Sequence, residues 1–372
     1  MRRLLVIGLL FCGIAHAQSW FDTAWPYRVS ITVPSTSINS DLTDYPVYLD
    51  LSLLPAGFHA NCNQTDARDI RITKSDGTTR VPVEIVSYTA ASDTGEVHFN
   101  SNGTLSSTLD NVYYVYYGNT VATMPAADAT YGSQAVWSAY AGVWHLQGTG
   151  DSTANGNDGT AMGNAASTST AKIGDAFAFD GAGDYIDITN TGFRGAAFTV
   201  SSWFRSISGG TNQYPIFGEY VSSESSVKNY LAVLNYHTLF FDQYPPSVGS
   251  AMTGDGSVIE GSWYFGTGAQ SAINSRAVYL DGVEKATATE EYSSAAPNQV
   301  FIARRGGTAG GYYKGQLDEV RIHTATLSPN WIATEYANQN DPTTFYAVGS
   351  QEEAPISGTP YYHRRRMMSW AK

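Results

Sequence analysis

Cysteine is almost absent from this chain of 372 residues, which contains only Cys12 and Cys62. Cys12 lies in an N-terminal segment that we expect to be removed, so the mature chain keeps one cysteine and forms no intramolecular disulfide. Beyond that segment, no apolar run approaches the roughly 20 residues that a transmembrane helix requires. Burial of a core, or a bound metal, is therefore left to stabilise the fold.

Charged residues are also scarce, at 15% of the sequence, below the roughly 25% of an average globular protein. Basic residues number 21 and acidic residues 33, which gives a net charge of −12. This balance argues against a nucleic-acid partner, which binds to a basic surface. The 36 glycines and 25 tyrosines indicate a β-rich extracellular protein with many turns.

The first 17 residues have the pattern of an export signal. A basic start at Arg2 and Arg3 precedes an apolar stretch of 11 residues, 4–14, and Ala15-His16-Ala17 fits a small-x-small cleavage site. The stretch is too short to anchor the chain across a bilayer. We predict a cleaved signal peptide over residues 1–17 and a secreted or extracytoplasmic location, in the periplasm or at the cell surface.

Cleavage after Ala17 predicts that the exported protein begins at Gln18. The expectation rests on the basic start and on the small residues that flank the cleavage site. N-terminal sequencing of protein recovered from outside the cytoplasm is the measurement. An intact Met1 in that material would show that the segment is retained.

Residues 18–121 alternate short β-type runs with turn residues, which predicts an N-terminal β-sandwich of about 100 residues. Ser75-Asp76-Gly77-Thr78 has the composition of a hairpin turn. The run from Val112 to Tyr117 is apolar on both faces, which predicts a central strand or a strand that meets a second domain. Residues 122–134, rich in Ala, Thr and Gly, are predicted to be a linker.

Residues 135–349 continue with strands and glycine-rich turns, which predicts a two-sheet jelly roll as one domain. Asp281-Gly282 indicates a hairpin turn. One helix is predicted, capped by Ser328, with Pro329 at its first position and an end before Pro342. Residues 350–372 lose periodicity and become basic at the end, and we predict a disordered tail there.

The second block resembles the LamG-like members of the concanavalin A-like lectin/glucanase superfamily. Six short segments occur in the order typical of that family, across about 215 residues: Val143–Leu146, Asp151–Gly159, Phe179–Ile186, Phe198–Trp203, Tyr279–Gly282 and Gly315–Ile322. The resemblance implies an all-β chain in which a β-sandwich is followed by a concanavalin A-like jelly roll.

The first block resembles the domain of unknown function 2341, which often precedes LamG domains in secreted proteins. The segments that carry this resemblance are Trp25–Arg28, Asp69–Ile72 and Tyr116–Asn119. The chain departs from that family at Val97-His98-Phe99, where its relatives usually have a tryptophan-containing strand. The family has no known activity, so the resemblance implies a fold and no chemistry.

Catalytic motifs are not found in the sequence. Glucanases on this fold carry an E-x-D-x-x-E or E-x-D-x-E run, which places two carboxylates on one face of a strand. The adjacent pair Asp318-Glu319 is expected to point to opposite faces, and His145 is expected to be a hydrogen-bonded core residue. No nucleophile elbow and no H-E-x-x-H motif occurs. We therefore expect no enzyme activity, with a glycoside hydrolase of unrecognised carboxylates as an alternative.

A structural Ca²⁺ is the cofactor that the resemblance implies. In related glucanases the ion sits on the aspartate of a late strand that matches Asp318–Ile322, and Asp184 is the companion candidate. Hydrogen bonding at turns and strand ends is an equal alternative for both. The loop from Asp151 to Asn157 begins like a calcium loop but lacks its closing Glu at Met162, which favours an Asx turn.

The function that we predict is non-catalytic binding or adhesion, with a carbohydrate or another surface polymer as the ligand. Lectin-like jelly rolls bind sugars with loop aromatics and a few polar groups. The candidate residues are Tyr214, Tyr220, Tyr244, Arg304, Arg305, Tyr312 and Tyr313. The alternative from another class is a structural or assembly subunit that binds an envelope protein through the LamG-like domain.

Overall fold

The computed structural model describes residues 19–188, 197–207, 213–222, 226–235, 237–242, 250–272, 274–289, 297–306 and 311–355. Tyr244, the predicted signal peptide and most of the predicted tail lie outside these residues. The described chain is built of antiparallel sheets, so the all-β prediction is confirmed. None of its helices is long and apolar enough to cross a membrane.

The first sandwich is formed by the N-terminal strands and by one strand from the end of the described chain. Its strands are β1 (Tyr27–Val33), β2 (Leu42–Thr43), β3 (Pro46–Asp50), β4 (Arg71–Lys74), β5 (Val83–Thr89), β6 (Thr94–Asn100), β7 (Thr104–Leu105), β8 (Asn111–Tyr117) and β24 (Ala347–Glu353). One sheet has the order β24-β1-β8-β4, a second has the order β3-β6-β5, and β2 pairs with β7. A short helix, α1 (Ala56–Asn61), and two 3₁₀ turns, Ser35–Ser37 and Leu51–Leu53, complete the domain.

Strand β8 lies between β1 and β4, and its residues from Tyr113 onward are buried on both faces. This confirms the prediction of a central strand. Inward-facing side chains such as Val29, Ile31 and Val115 are fully buried in the core of the sandwich, as period-two alternation requires. Gly77 adopts φ +73° in the predicted hairpin turn, a conformation in which glycine has no steric penalty.

The prediction of a disordered tail from residue 350 is wrong for its first residues, because β24 continues to Glu353 and pairs with β1. Side-chain contacts hold β24 in the sheet, and the amino-acid composition of residues 350–372 gives no sign of them. Arg28 donates from Nη2 to Glu352 Oε2 at 2.7 Å, and the Tyr117 hydroxyl donates to Gln351 Oε1 at 2.9 Å. The end of the described chain therefore belongs to the first sandwich.

The jelly roll contains strands β9 to β23, which form two large sheets. The strands are β9 (Tyr140–Trp144), β10 (Gly159–Met162), β11 (Ala166–Thr168), β12 (Ala176–Asp180), β13 (Tyr185–Ile188), β14 (Phe198–Ser206), β15 (Gln213–Val221), β16 (Ser226–Leu234), β17 (Thr238–Asp242), β18 (Ala251–Met252), β19 (Tyr264–Ala272), β20 (Ser275–Leu280), β21 (Val283–Ala288), β22 (Gln299–Ile302) and β23 (Lys314–His323). One sheet has the order β10-β13-β22-β15-β16-β17-β18. The other has the order β11-β12-β23-β14-β19-β20-β21, with β9 also paired to β23.

The main core of the jelly roll lies between these two sheets. Trp144, Phe204, Phe217, Leu231 and Phe241 are fully buried there. Asp281 and Gly282 both have positive φ, at +51° and +76°, and they join β20 to β21 as predicted. Two positive φ values match the right-handed twist of a hairpin.

Helix α3 (Pro329–Asn340) confirms the predicted helix, because the Ser328 side chain accepts from the backbone N–H of Trp331 and satisfies a free donor of the first turn. The helix lies between the two domains. Ile332 packs with Trp203 on the jelly-roll side. Asn338 forms two hydrogen bonds with the backbone of Tyr48 in β3, at 2.7 and 2.9 Å. A further short helix, α4 (Pro342–Phe345), leads into β24.

The predicted linker packs against the first sandwich. The Thr123 carbonyl accepts from Arg71 Nη2 at 2.7 Å, and the Arg80 guanidinium lies 4.4 Å from the centre of the Tyr131 ring. Helix α2 (Ser133–Val136) then leads to Trp137, which is 1% exposed between the two domains. These contacts show that the segment packs along the first sandwich and is not a free spacer.

Candidate functional site

The outer face of the seven-stranded sheet carries a group of polar and aromatic side chains. Along β13, Ile186 and Ile188 point into the core and are fully buried, so Tyr185 and Asp187 lie on the opposite, outer face. Phe301 of β22 is directly across from Asp187. Strand alternation and register therefore place these three side chains on one face.

Arg304 lies over the aromatic members of this group. Its guanidinium is 4.5 Å from the Tyr185 ring centre, 4.8 Å from Phe301 and 5.7 Å from Tyr312. The Tyr185 and Tyr312 rings are 6.0 Å apart. Arg304 and Tyr312 also form a β-bridge, which brings the two ends of their loop together. We call Tyr185, Asp187, Phe301, Arg304 and Tyr312 the Arg304 patch.

The Arg304 patch combines aromatic surface with a cation and a carboxyl group. Tyr185, Asp187, Arg304 and Tyr312 are half-buried, while Phe301 is buried beneath them. Burial raises the pKa of Asp187, and the positive charge of Arg304 opposes this shift. A guanidinium against aromatic rings is held by cation–π attraction. The patch can therefore offer flat apolar surface together with donors and acceptors for hydroxyl groups.

The structure divides the predicted ligand-binding residues. It brings Arg304 and Tyr312 together, but Tyr214, Tyr220 and Tyr313 are at most 8% exposed, so their prediction as accessible loop platforms is wrong. Tyr214 and Tyr220 lie in strand β15, and the Tyr313 hydroxyl contacts Ser206 Oγ at 3.2 Å in the core.

Two further predicted residues, Arg305 and Tyr244, are not among the five that define the Arg304 patch. Arg305 is half-buried, and its backbone N–H donates to Gly311. Tyr244 lies outside the described residues. Tyr185 and Asp187 were missed by the sequence analysis. Alternation along their strand could have placed both on one face, but their pairing with β22 could not be read from the sequence.

The predicted calcium ligands are engaged by the backbone. Asp184 accepts from the N–H groups of Asn164 and Asp180 at 2.6 and 3.0 Å. Asp318 Oδ2 accepts from Lys172 and Ile173 at 3.0 and 2.8 Å, and burial raises the pKa of this carboxyl. These bonds match the alternative of turn and strand-end hydrogen bonding, so Ca²⁺ at Asp184 and Asp318 stays a prediction.

The loop after β9 is closed by its own hydrogen bonds. Asp151 accepts from the N–H groups of Val143, Thr153 and Asn157 and from the Thr153 hydroxyl, at 2.8 to 3.0 Å. Both oxygens of the carboxylate thus bind within the loop. This agrees with the Asx turn that the sequence favours over a calcium loop.

A second polar group is buried between the two domains. Glu84 (β5), Glu96 and His98 (β6) come from the first sandwich, whereas His145, which follows β9, and Glu319 (β23) come from the jelly roll. We call these five residues the interdomain cluster. Each is 8% exposed or less. The prediction that His145 is a hydrogen-bonded core residue is confirmed, but carboxylates surround its ring.

His145 is the centre of the interdomain cluster. Its Nδ1 lies 2.5 Å from Glu319 Oε1 and 3.2 Å from Glu96 Oε1, and its Nε2 lies 3.2 Å from Glu84 Oε2. His98 Nε2 lies 3.0 Å from Glu96 Oε1, and the two histidine rings stack with centres 4.9 Å apart. Both domains therefore supply charged partners to one imidazole.

A backbone irregularity in β23 places Glu319 in this cluster. Glu319 has φ +52°, and the register between β14 and β23 shifts between Ser201 and Trp203. This is the pattern of a β-bulge, which redirects a side chain. The expectation that Asp318 and Glu319 point to opposite faces through regular alternation is therefore wrong, because the strand is irregular at this point.

The cluster perturbs the pKa values of its members strongly. Burial lowers the pKa of His145, but Glu319 and Glu84 raise it more, and the net result lies well above the ordinary value. Burial raises the pKa of Glu319, but His145 and Arg321 lower it by more than burial raises it. The net pKa therefore lies well below its ordinary value. Burial and then Arg321 lower the pKa of His98. The structure therefore favours a protonated His145, an ionised Glu319 and a neutral His98.

In the parent chain, ionisation of Glu96 should lower the free energy of unfolding as pH rises, and replacing Glu96 with glutamine should remove this decrease. Burial, followed by repulsion from Glu319, raises the pKa of Glu96 from 4.5 to about 7. Between pH 4.5 and about pH 7, Glu96 is protonated in the folded state but ionised in the unfolded state. This difference makes the free energy of unfolding fall as pH rises from 4.5 to about 7. We expect Glu96→Gln to gain stability relative to the parent chain from about pH 5 to about pH 8.

Urea denaturation of both chains in chelator is the measurement. The difference between variant and parent removes the titrations that the two chains share and keeps that of Glu96 together with its coupling to Glu319, His145 and His98, which face it. Glu353→Gln, at an exposed carboxylate of β24, is the control and should leave the pH profile unchanged. A difference between Glu96→Gln and parent that is independent of pH would contradict the prediction.

Comparison with known proteins agrees with this fold. Residues 180–333 match the concanavalin A-like lectin/glucanases superfamily. The match begins at the end of β12 and finishes inside α3, so it covers most of the jelly roll and confirms that part of the resemblance. It does not reach the first sandwich, whose relation to the domain of unknown function 2341 stays a prediction. No curated protein matches the sequence.

Two solved structures are similar to part of this chain. Domain 4 of AbnA, a GH43 extracellular arabinanase from Geobacillus stearothermophilus in complex with arabinotriose, is 20% identical, with a TM-score of 0.42, over 53% of this chain and 98% of that chain. The receptor binding domain of botulinum neurotoxin C/D mosaic serotype is 14% identical, with a TM-score of 0.44, over 54% of this chain and 52% of that chain. Similarity at this level assigns no function here.

Proposed function

We propose that this protein binds carbohydrate without cleaving it, and that the Arg304 patch is the binding site. The observation that carries the proposal is the guanidinium of Arg304 beside the half-buried rings of Tyr185 and Tyr312, with Asp187 on the same face. The superfamily that residues 180–333 match includes lectins and glucanases. Both binding and hydrolysis are therefore compatible with the fold.

The chemistry of the patch suits a sugar ring. The apolar face of a pyranose can stack on an aromatic ring, and tyrosine supplies this surface at a small cost in side-chain entropy. Arg304 can donate to hydroxyl groups, and Asp187 can accept from them. Cation–π contacts hold the arginine in place before binding. A preformed site of this kind loses less conformational entropy when the ligand binds.

The number of carboxyl groups in the patch supports binding without cleavage of the sugar. Retaining and inverting glycosidases use two carboxyl groups, about 5–10 Å apart across the scissile bond. Asp187 is the single carboxyl group among the five residues that define the patch. The glutamates of the interdomain cluster are buried between the two domains, whereas the patch lies on the outer face of the seven-stranded sheet, to which Glu319 does not belong.

Removing the aromatic surface tests this function. We expect Tyr185→Ala and Tyr312→Ala each to weaken binding of the best oligosaccharide from a glycan array about tenfold, equivalent to about 1.4 kcal/mol. Arg304→Ala should have a similar effect, because it removes donors without removing a ring. Isothermal titration calorimetry is the measurement, and thermal melting of each variant checks that the jelly roll remains folded.

The Arg80 and Tyr131 pair is a matched control, because it makes a cation–π contact of 4.4 Å on the first sandwich. Tyr131→Ala should leave the affinity unchanged. Equal loss in Tyr131→Ala and Tyr312→Ala would move the site away from the patch. Release of reducing sugar by the parent chain would favour a hydrolase, and binding to an envelope protein with none to any glycan would favour an assembly subunit.

A further inference from the structure

We propose that Glu96, His98, His145 and Glu319 form a Zn²⁺ site that joins the two domains. One ligand atom from each of these buried side chains lies within 4.8 Å of the ligand atoms of the other three. Two ligands come from the first sandwich and two from the jelly roll. The proposal concerns a structural ion and does not depend on carbohydrate binding.

The side chains around the four ligands orient them as the outer shell of a metal site does. Gln147 Nε2 donates to Glu96 Oε2 at 2.6 Å, which leaves Glu96 Oε1 beside the histidines. Arg321 Nε donates to Glu319 Oε2 at 3.0 Å, which leaves Glu319 Oε1 beside His145. Carboxylates that bind metals are commonly held in this way through their second oxygen.

His145 has the arrangement of a metal-binding histidine. Its Nε2 contacts the Glu84 carboxylate at 3.2 Å, while its Nδ1 faces the oxygens of Glu96 and Glu319. A metal-bound imidazole usually donates its other N–H to a carboxylate, which fixes the tautomer and the ring orientation. The Trp137 indole N–H in turn donates to Glu84, so this outer carboxylate is itself fixed.

The charges within the group also call for a cation. One nitrogen, His145 Nδ1, faces two carboxylate oxygens and can donate only one proton. Two ionised carboxyl groups that converge in a buried site repel each other. His98 is fully buried, and in the described residues its Nδ1 has no hydrogen-bond partner. A divalent ion between Glu96 and Glu319 would replace a shared proton and satisfy both.

The donor set selects the class of metal. Two imidazoles with two carboxylates suit Zn²⁺, whereas Ca²⁺ and Mg²⁺ prefer oxygen ligands alone. Four protein ligands form a closed site, which is typical of structural zinc. A crevice of about 360 Å³ between the domains is lined by Glu84, His145 and Gln147, which gives an ion a route to the cluster.

Zinc content and zinc-dependent stability of the full chain test the proposal. After treatment with chelator and dialysis, we expect the chain to bind one Zn²⁺ by mass spectrometry of the metal and by calorimetry. The melting temperature should rise with Zn²⁺ but not with Ca²⁺ or Mg²⁺, because an ion bound only by the folded state stabilises that state. Co²⁺ as a spectroscopic probe should give the absorption of a four-coordinate site.

Variants separate the ligands from their outer shell. His98→Gln and His145→Gln should abolish binding of Zn²⁺, and Glu84→Gln should weaken it about 10- to 100-fold, as is usual for outer-shell partners. His59→Gln on the first sandwich and His363→Gln in the C-terminal segment are controls and should bind as the parent does. Far-UV circular dichroism of each variant establishes that it is folded.

Two results would overturn the proposal. The first is a parent chain that binds no Zn²⁺ and melts at the same temperature in zinc and in chelator. The second is undiminished binding after His98→Gln and His145→Gln are combined, or loss of binding in His363→Gln. If the combined variant does not fold, the Co²⁺ spectrum of the parent decides, because bands of a six-coordinate ion would exclude the closed site of four protein ligands that is proposed.

Discussion

Replacing Arg321 with methionine should destabilise the protein by about 3–5 kcal/mol, the usual loss when one partner of a buried ion pair is removed. Arg321 is 1% exposed. Its Nε donates to Glu319 Oε2 and its Nη1 donates to Glu335 Oε1, both at 3.0 Å. Without the guanidinium, both carboxyl groups stay buried with less compensation. Urea denaturation of Arg321→Met and of the parent is the measurement.

Two further variants test whether the loss comes from the buried ion pairs. In Arg321→Met combined with Glu335→Gln, one of the uncompensated acids is neutral, so we expect part of the loss to be recovered. Arg205→Met is the matched control, because the half-buried Arg205 donates to neutral groups in the part of the chain that the structure describes, namely Gly261 O and Gln316 Oε1, both at 2.7 Å. Its loss should be about 1–2 kcal/mol. Equal losses of unfolding free energy in Arg321→Met and Arg205→Met would show that the buried ion pairs of Arg321 stabilise the fold no more than hydrogen bonds to neutral groups do.

The features that were predicted correctly depend on neighbours in sequence. Ser328 and Pro329 mark the start of α3 because a helix cap is formed within one turn. Asp281-Gly282 marks a hairpin because both residues must adopt positive φ. The jelly roll was predicted from short strands and glycine-rich turns and from six short segments that occur in the order typical of the family. None of these signals requires knowledge of which strands pair.

The sites depend on contacts between distant residues. His145 and Glu319 are 174 positions apart, and Glu96 belongs to another domain, so no spacing in the sequence indicates that they meet. The bulge at Glu319 adds a second obstacle, because the alternation rule fails at that residue. For the Arg304 patch, the structure brings the predicted residues Arg304 and Tyr312 together. It buries Tyr214 in β15 and Tyr313 just before β23, and composition does not determine these positions.

The interdomain cluster adds to the other contacts that join the two domains. Asn338 of α3 bonds to β3, and β24 returns to the first sandwich after the jelly roll is complete. The chain therefore crosses the interface twice, with charged groups buried between the crossings. Buried polar groups are costly unless they are paired, so separation of the domains would release pairs that only the joined state completes.

Trp137 lies where these contacts meet, and Trp137→Ala should cost about 3–5 kcal/mol, as is typical when a buried tryptophan is truncated. Its ring lies 4.8 Å from the Arg321 guanidinium and contacts the rings of His98 and His145 at 5.2 and 5.5 Å. Its indole N–H donates to Glu84. The substitution therefore removes apolar packing and a hydrogen bond to a buried carboxylate at once.

Trp137→Phe separates these two contributions. It keeps most of the aromatic packing but leaves Glu84 without the indole donor, and we expect a loss of about 1–3 kcal/mol, the cost of an unsatisfied buried acceptor. Trp263→Ala, at a half-buried tryptophan that packs against the apolar cluster containing Trp203, is the control, and its loss should be smaller than that of Trp137→Ala. Calorimetry should further show the two domains unfolding in separate transitions in Trp137→Ala. A single transition with a loss no larger than that of Trp263→Ala would mean that α3 and β24 hold the domains together without Trp137.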